Sequence, residues 1–324
     1  MRMHYLAIGL LAATLASSSL AQAAAPALPP ATDTVAPEIA GVVKGGTKVQ
    51  VIKTGLTTGT EGTISLNDGS GAVLFTNQQG NTVTKIDKDN NFTIFLDKVT
   101  GINAITYNPK GQMIGLQRMQ DGGKAQIAII YPKGQEKVLS DAIDGQPILN
   151  PNDLIGDKKG GIYFTVPGAM PPAVYYITPD GKTVVATTDV DRPNGITMNR
   201  AENILYVASG GENIRAFDIN PDGSLKNARN FGKYGFMVAN PTTGVRASGA
   251  DGMTIDNEGR IYTVTNGGIE IFSEQGQSLG VIPLSRKGQN LAFGGTDKKT
   301  LFVVGNQAAW KIDMVATGFK DRVK

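Results

Sequence analysis

Six polar residues open matching segments of the chain: Glu61, Asn103, Asn152, Asn194, Asp251 and Asn290. Each segment reads as a polar head, an apolar run, a turn rich in Gly, Asn or Asp, and a second apolar run. Asn152-Asp153-Leu154-Ile155 leading to Ile162-Tyr163-Phe164-Thr165 shows the pattern, and Asp251-Gly252-Met253-Thr254 leading to Ile261-Tyr262-Thr263-Val264 repeats it. Every head offers a carbonyl or carboxylate oxygen, and Glu61 and Asp251 carry a formal negative charge. Converging oxygens of this kind suit a hard divalent cation, and Ca²⁺ takes roughly 6–8 of them. Asn and Asp also cap turns and strand ends. It is their coincidence at one repeat position that points to a shared site.

Several chemistries are closed to this chain. It has no Cys, and its single His is His4. Disulfides, zinc thiolates and cysteine nucleophiles are excluded. Loss of an N-terminal leader removes imidazole too, and Ser-His-Asp catalysis with it. Any metal is then held by oxygen, with zinc deprived of its preferred ligands. The formal net charge is +3 and the Lys and Arg residues are scattered, which argues against nucleic acid as a partner.

The elements that position the heads are short. The 324 residues break into apolar or β-branched runs separated by turn signals such as Pro109-Lys110-Gly111 and Pro179-Asp180-Gly181. Successive heads lie 42, 49, 42, 57 and 39 residues apart. Several strands per unit at that period predict an all-β fold, a six-bladed β-propeller with four-stranded blades around a central channel. Heads at equivalent positions then line one mouth of the channel. The last unit is short, so its outermost strand is expected from the N-terminal side, at Lys48 to Lys53, hiding a sheet edge.

The N-terminus has the layout of a secretory signal peptide. Arg2 precedes an apolar stretch, and Ala21-Gln22-Ala23 forms a small-residue cleavage site. The expected organisation is a signal peptide over 1–23, an Ala/Pro-rich linker over 24–45 and one propeller domain over 46–324. The mature protein is expected to be secreted or periplasmic, monomeric, and free of the membrane after signal cleavage.

Four motifs in register and order carry a resemblance to a known family. They are Pro151-Asn152-Asp153-Leu154 with Gly161-Ile162-Tyr163-Phe164-Thr165, Arg192-Pro193-Asn194-Gly195-Ile196, Asp251-Gly252-Met253, and Ala292-Phe293-Gly294-Gly295-Thr296-Asp297. Together they resemble the senescence-marker-protein/gluconolactonase/luciferin-regenerating-enzyme family over roughly residues 55–314. The resemblance implies one divalent cation in the channel, Ca²⁺ first and Mg²⁺ or Mn²⁺ as alternatives. It implies hydrolysis of a small-molecule lactone. It assigns Glu61, Asn194, Asp251 and Asn152 to the metal, Asp251 also as catalytic base, and Asn152 also to substrate. Asn103 occupies an equivalent repeat position, and Arg118 is placed to meet a substrate carboxylate or an oxyanion; both are read as substrate-binding.

There are departures from the family pattern. Thr63 stands where many members have Pro after Glu-Gly, Val166 where many have Asp, and Asn150 where some have a substrate-binding Arg. These bear on substrate selection rather than on the metal shell. A non-catalytic propeller that binds a small molecule or a protein, with the cation as a structural staple, uses the same residues and is the alternative reading. Trp310 and Tyr206 are expected in the core, and Asp157 and Asp256 in turns.

Overall fold

In the computed structural model residues 28–66, 68–118, 124–322 and 324 are described. The expected signal peptide and cleavage site lie outside them. Six antiparallel sheets follow one another along the chain, each with its first strand innermost. These inner strands are Thr60–Ser65, Ile102–Tyr107, Leu154–Gly156, Ile196–Met198, Met253–Ile255 and Asn290–Gly294. Each packs against the inner strand of the next blade, and the sixth packs against the first, so the ring closes around a channel. The fold is the six-bladed β-propeller that the repeat predicts.

Alternating apolar residues on each sheet face explain the packing. Ala104, Ile114, Leu116 and Ile127 of blade 2 bury against Leu154, Ile162, Phe164 and Ile177 of blade 3. The core is therefore a set of seams between blades. Each buried Leu, Ile, Val or Phe contributes about 1.5–3 kcal/mol. Trp310 and Tyr206 lie in these seams, 0% and 2% exposed. Turn carboxylates and amides hold the far ends of the inner strands. Asp157 Oδ1 accepts the amides of Lys159 and Gly161, and Asp256 Oδ1 accepts those of Glu258 and Arg260. This is the turn-stabilising role read for both residues.

The sixth blade is completed from the N-terminal side. Lys48–Thr54 pairs antiparallel with Ala308–Asp313, with Val49 opposite Ile312 and Val51 opposite Trp310. Thr34–Val35 adds a short fifth strand outside it. The first strand of the described residues thus begins at Thr34, within the stretch read as a linker over 24–45. Ala36, Ile39, Val42 and Val43 supply the reason: all four are buried against Tyr262, Leu291 and Trp310.

Antiparallel alternation decides what surrounds each mouth. Inner strands run away from the heads, so connections from second to third strand, and from the outermost strand to the next blade, gather on the head side. Arg118 follows the second strand of blade 2, Met113–Gln117, and so belongs to that side. Two small hairpins rise there as well, Ala142–Ile143 with Gln146–Pro147 and Val238–Ala239 with Arg246–Ala247. No helix among the described residues is long and apolar enough to cross a membrane.

Candidate active site

Three heads are true structural equivalents. The amides of Asn152, Asn194 and Asp251 donate to the carbonyls of Thr165, Ala208 and Val264, in each case just before the first ladder pair of the inner strand. In blade 6 that same bond is made by Gln289, whose amide donates to Val304. Asn290 is therefore one residue out of step with the position read from sequence, because residue type was a poor guide to register there. Glu61 and Asn103 depart in another way. The ladder shifts between Glu61 and Ile64, and again between Ile102 and Ala104. Such bulges re-aim a side chain. Gly62 takes φ +55° at the first one, and a Cβ there would lie 2.8 Å from the Ala104 Cα.

The heads still gather at one mouth, with distinct partners. Glu61 is buried, and its carboxylate accepts from Gln289 Nε2 at 3.0 Å and from Asn290 Nδ2 at 3.4 Å. Asp251 is buried, with Lys287 Nζ 3.7 Å from its Oδ2 and the Asn194 amide beside it. Asn194 Oδ1 is buried and has no hydrogen-bond partner among the described residues. Asn103 Nδ2 donates to the Asn152 carbonyl at 2.7 Å, so its amide fixes the neighbouring blade. The Asn152 backbone is thereby pinned from both sides, with its residue half-buried. Arg118 Nε donates to the Pro151 carbonyl at 2.6 Å. Gly195 lets blades 4 and 5 approach, since a Cβ there would meet the Asp251 carbonyl oxygen at 2.0 Å.

Burial dominates the electrostatics. It pushes the Glu61 carboxyl well above the usual range, with the charges of Asp251 and Asp153 adding to the rise. Burial raises Asp251 to about 6; Lys287 and Arg118 restrain that rise and Asp153 adds to it. Arg118 is lowered by its own burial, against the pull of Glu61 and Asp251. These effects tie Glu61, Asp251, Asn194, Arg118, Lys287 and Asp153 into one electrostatic unit.

Sequence reasoning passed over Gln289, Lys287, Asp153 and Lys324. Asp153 was visible beside Asn152, but its neighbour claimed the role. Gln289 and Lys287 precede the blade 6 head and carry no motif. Lys324 reaches the channel only through the fold, where its Nζ bonds Asp153 Oδ1 and, at 3.1 Å, the Leu154 carbonyl.

The residues present fit a hard cation by donor chemistry. Among the described residues no three acids or histidines converge as a metal cluster. The donors are instead two carboxylates that burial leaves under-stabilised and a buried amide oxygen without a partner, a set suited to Ca²⁺. A cavity of about 690 Å³ opens at the opposite mouth, lined in part by Ser65, Thr106, Gly156, Lys298 and Arg322. It lies at the far ends of the inner strands, away from the heads.

Comparison with known proteins agrees with the fold and the motifs. A gluconolactonase from Zymomonas mobilis is 27% identical over 306 residues, covering 82% of this chain and 81% of that protein. The solved structure of a gluconolactonase from Xanthomonas campestris superposes with a TM-score of 0.72 at 24% identity, over 91% of this chain and 99% of that one. A calcium-binding regucalcin from Agrobacterium tumefaciens shares the fold with a TM-score of 0.64 at 14% identity, over 84% of this chain and 96% of that one. Residues 60–306 match the SMP-30/gluconolactonase/LRE-like region, and the chain belongs to that family.

Proposed function

We propose that this protein is an exported, cation-dependent lactonase, hydrolysing a small cyclic ester at the head mouth of its channel. The observation that carries this reading is the buried Asn194 Oδ1, left without a partner among the described residues beside Asp251, with burial disfavouring the charge of both Asp251 and Glu61. Glu61, Asn194 and Asp251 would hold one divalent cation, Ca²⁺ before Mg²⁺ or Mn²⁺, with Asn152 at its edge. When bound, that ion supplies Lewis acidity toward the lactone carbonyl.

The chain's own groups do the rest. Asp251, raised to about 6, is mostly ionised at neutral pH yet basic enough to accept a proton. Its carboxylate takes that proton from water as the water oxygen bonds the carbonyl carbon. The ring C–O bond then breaks, and the proton passes to the leaving alkoxide, giving the open hydroxy acid. Gln289 and Asn290 orient Glu61 through its two oxygens. Arg118, anchored on the Pro151 carbonyl, turns its remaining N–H groups toward developing negative charge. The expected substrate is a lactone of a size the mouth admits, as for the gluconolactonase relatives.

The test is proton release from a panel of sugar, aliphatic and aromatic lactones. Enzyme is stripped with chelator and refilled with Ca²⁺, Mg²⁺, Mn²⁺ or Zn²⁺. Turnover lost on stripping and restored by one ion supports the reading. A panel with no turnover, by protein whose melting temperature rises with the ion, overturns the catalytic assignment and leaves a ligand-binding propeller.

A further inference from the structure

The C-terminal segment crosses the far mouth and sends one charge up the channel. Gly318 N donates to the Lys298 carbonyl, and Phe319 N to the Ile255 carbonyl at the end of blade 5's inner strand. Arg322 then clasps the Met198 and Asn199 carbonyls at the end of blade 4's inner strand, at 2.6 and 2.9 Å. Its guanidinium lies 3.5 Å from Glu202. Lys324 makes the next step, onto blade 3. Its side chain is 1% exposed, and its ammonium meets Asp153, whose side chain is 3% exposed.

Asp153 is fully engaged without a cation. Its Oδ1 accepts the Leu154 amide at 2.9 Å as well as Lys324 Nζ, and its Oδ2 accepts the Ile196 amide at 3.3 Å. It ties blade 3 to blade 4, with both oxygens taken up by these bonds. Its charge nevertheless reaches both Glu61 and Asp251. A carboxylate that acts only at a distance acts through its net charge. Lys324 is the group that cancels it. Charges buried as deeply as these are weakly screened.

We propose that Lys324 is a positioning residue for the cation site: its ammonium neutralises Asp153 from below and so sets how strongly the Glu61–Asn194–Asp251 cluster attracts a divalent cation. The inference rests on reading that cluster as a cation site. Its direction is distinctive. Removing a lysine that only plugged the channel would loosen the site, whereas removing a neutralising lysine tightens it.

The experiment is calorimetric titration of chelator-stripped full-length protein with Ca²⁺ alone, with melting temperature read in parallel. Lys324→Met should bind Ca²⁺ about tenfold more tightly than wild type, by loss of one nearby positive charge. Lys324→Arg should stay near wild type. Asp153→Asn should weaken binding by about tenfold, and Asp153→Asn with Lys324→Met should return to within about threefold of wild type. If Lys324→Met does not fold, Asp153→Asn alone decides, and an unchanged affinity there overturns the inference. Weaker binding by Lys324→Met, or affinities unmoved in both single variants, also overturns it while leaving the cation site standing. Absence of heat and of any melting shift in wild type, with Ca²⁺, Mg²⁺ or Mn²⁺, removes the cation reading and the inference with it.

Discussion

The two mouths of the channel both hold buried ionisable groups, basic at one and acidic at the other. At the far mouth burial lowers Lys298 to about 8 and also lowers Arg322. At the head mouth burial raises Glu61 and Asp251. The fold answers most of the far-mouth polar groups from within, Arg322 Nε being the exception, buried without a partner among the described residues. Lys298 Nζ has the Ser65 hydroxyl, and the terminal nitrogens of Arg322 have two carbonyls and Glu202. At the head mouth the charge of Asp251 adds to the rise of Glu61, that of Asp153 adds to the rise of both, and the Asn194 amide oxygen stays unpaired among the described residues. Buried charge alone therefore does not mark a site. An unpartnered buried amide oxygen set against an acid whose burial raises it does, because its desolvation cost is recovered only when something binds.

The strongest way to break this contrast is Asp251→Asn. It removes the proposed proton acceptor, and turnover should fall by about 10³-fold. Metal-free protein should melt no lower than wild type, since the variant relieves repulsion with Glu61. Full activity on the true substrate would remove Asp251 from the reaction. Gln289→Ala is the next largest effect. It frees one oxygen of Glu61, and cation affinity should fall about tenfold, as for other groups that orient a ligand. Isothermal titration with Ca²⁺ reads it directly, and unchanged affinity would mean that Glu61 needs no orienting partner.

Proton linkage sharpens the contrast further. Asp251 has its carboxyl near 6 in the folded chain, against 3.8 for the ordinary group. Below about 4 the folded and unfolded chains are both protonated at this group. From about 4 to about 6 the folded chain holds a proton the unfolded chain has lost, so this carboxyl costs stability progressively as pH rises. Stripped wild type should therefore lose about 3 °C relative to Asp251→Asn between pH 4.5 and 7. Melting curves of both proteins in chelator measure it. A difference that stays flat across that interval would return Asp251 to an ordinary exposed carboxylate.

The fold was legible because its determinant is periodic. Apolar alternation and the spacing of polar heads sufficed for six blades, and the shortness of the last unit pointed to a closing strand from the N-terminal side. The site was legible only as residue types. Glu61, Asn194 and Asp251 stand out as oxygen donors, yet nothing in the string shows the bulge that turns Glu61 inward. Asn290 reads as a head because it is an Asn, whereas the ladder puts Gln289 in the equivalent place. Lys287 and Lys324 were invisible for a different reason. Their charge matters through contacts with residues 36 and 171 positions away, made by a loop and a tail that carry no pattern.

The smallest expected effect tests the far mouth. Lys298 is depressed to about 8 because its ammonium is desolvated, with only the Ser65 hydroxyl against it among the described residues. An unfolded lysine holds its proton to about 10.5. Below about 8 both chains are protonated at this residue, and the folded one bears the cost of a buried charge. Between about 8 and 10.5 the folded chain gives up the proton first, so stability recovers as pH rises. Lys298→Met keeps the length of the side chain and removes the charge. It should melt about 2 °C above wild type at pH 7, with the gap closing toward pH 10, and with Ca²⁺ affinity and lactone turnover unchanged. If the same variant lost turnover, the far mouth would be part of the reaction, and the division between a mouth that is satisfied and a mouth that waits for a ligand would fail.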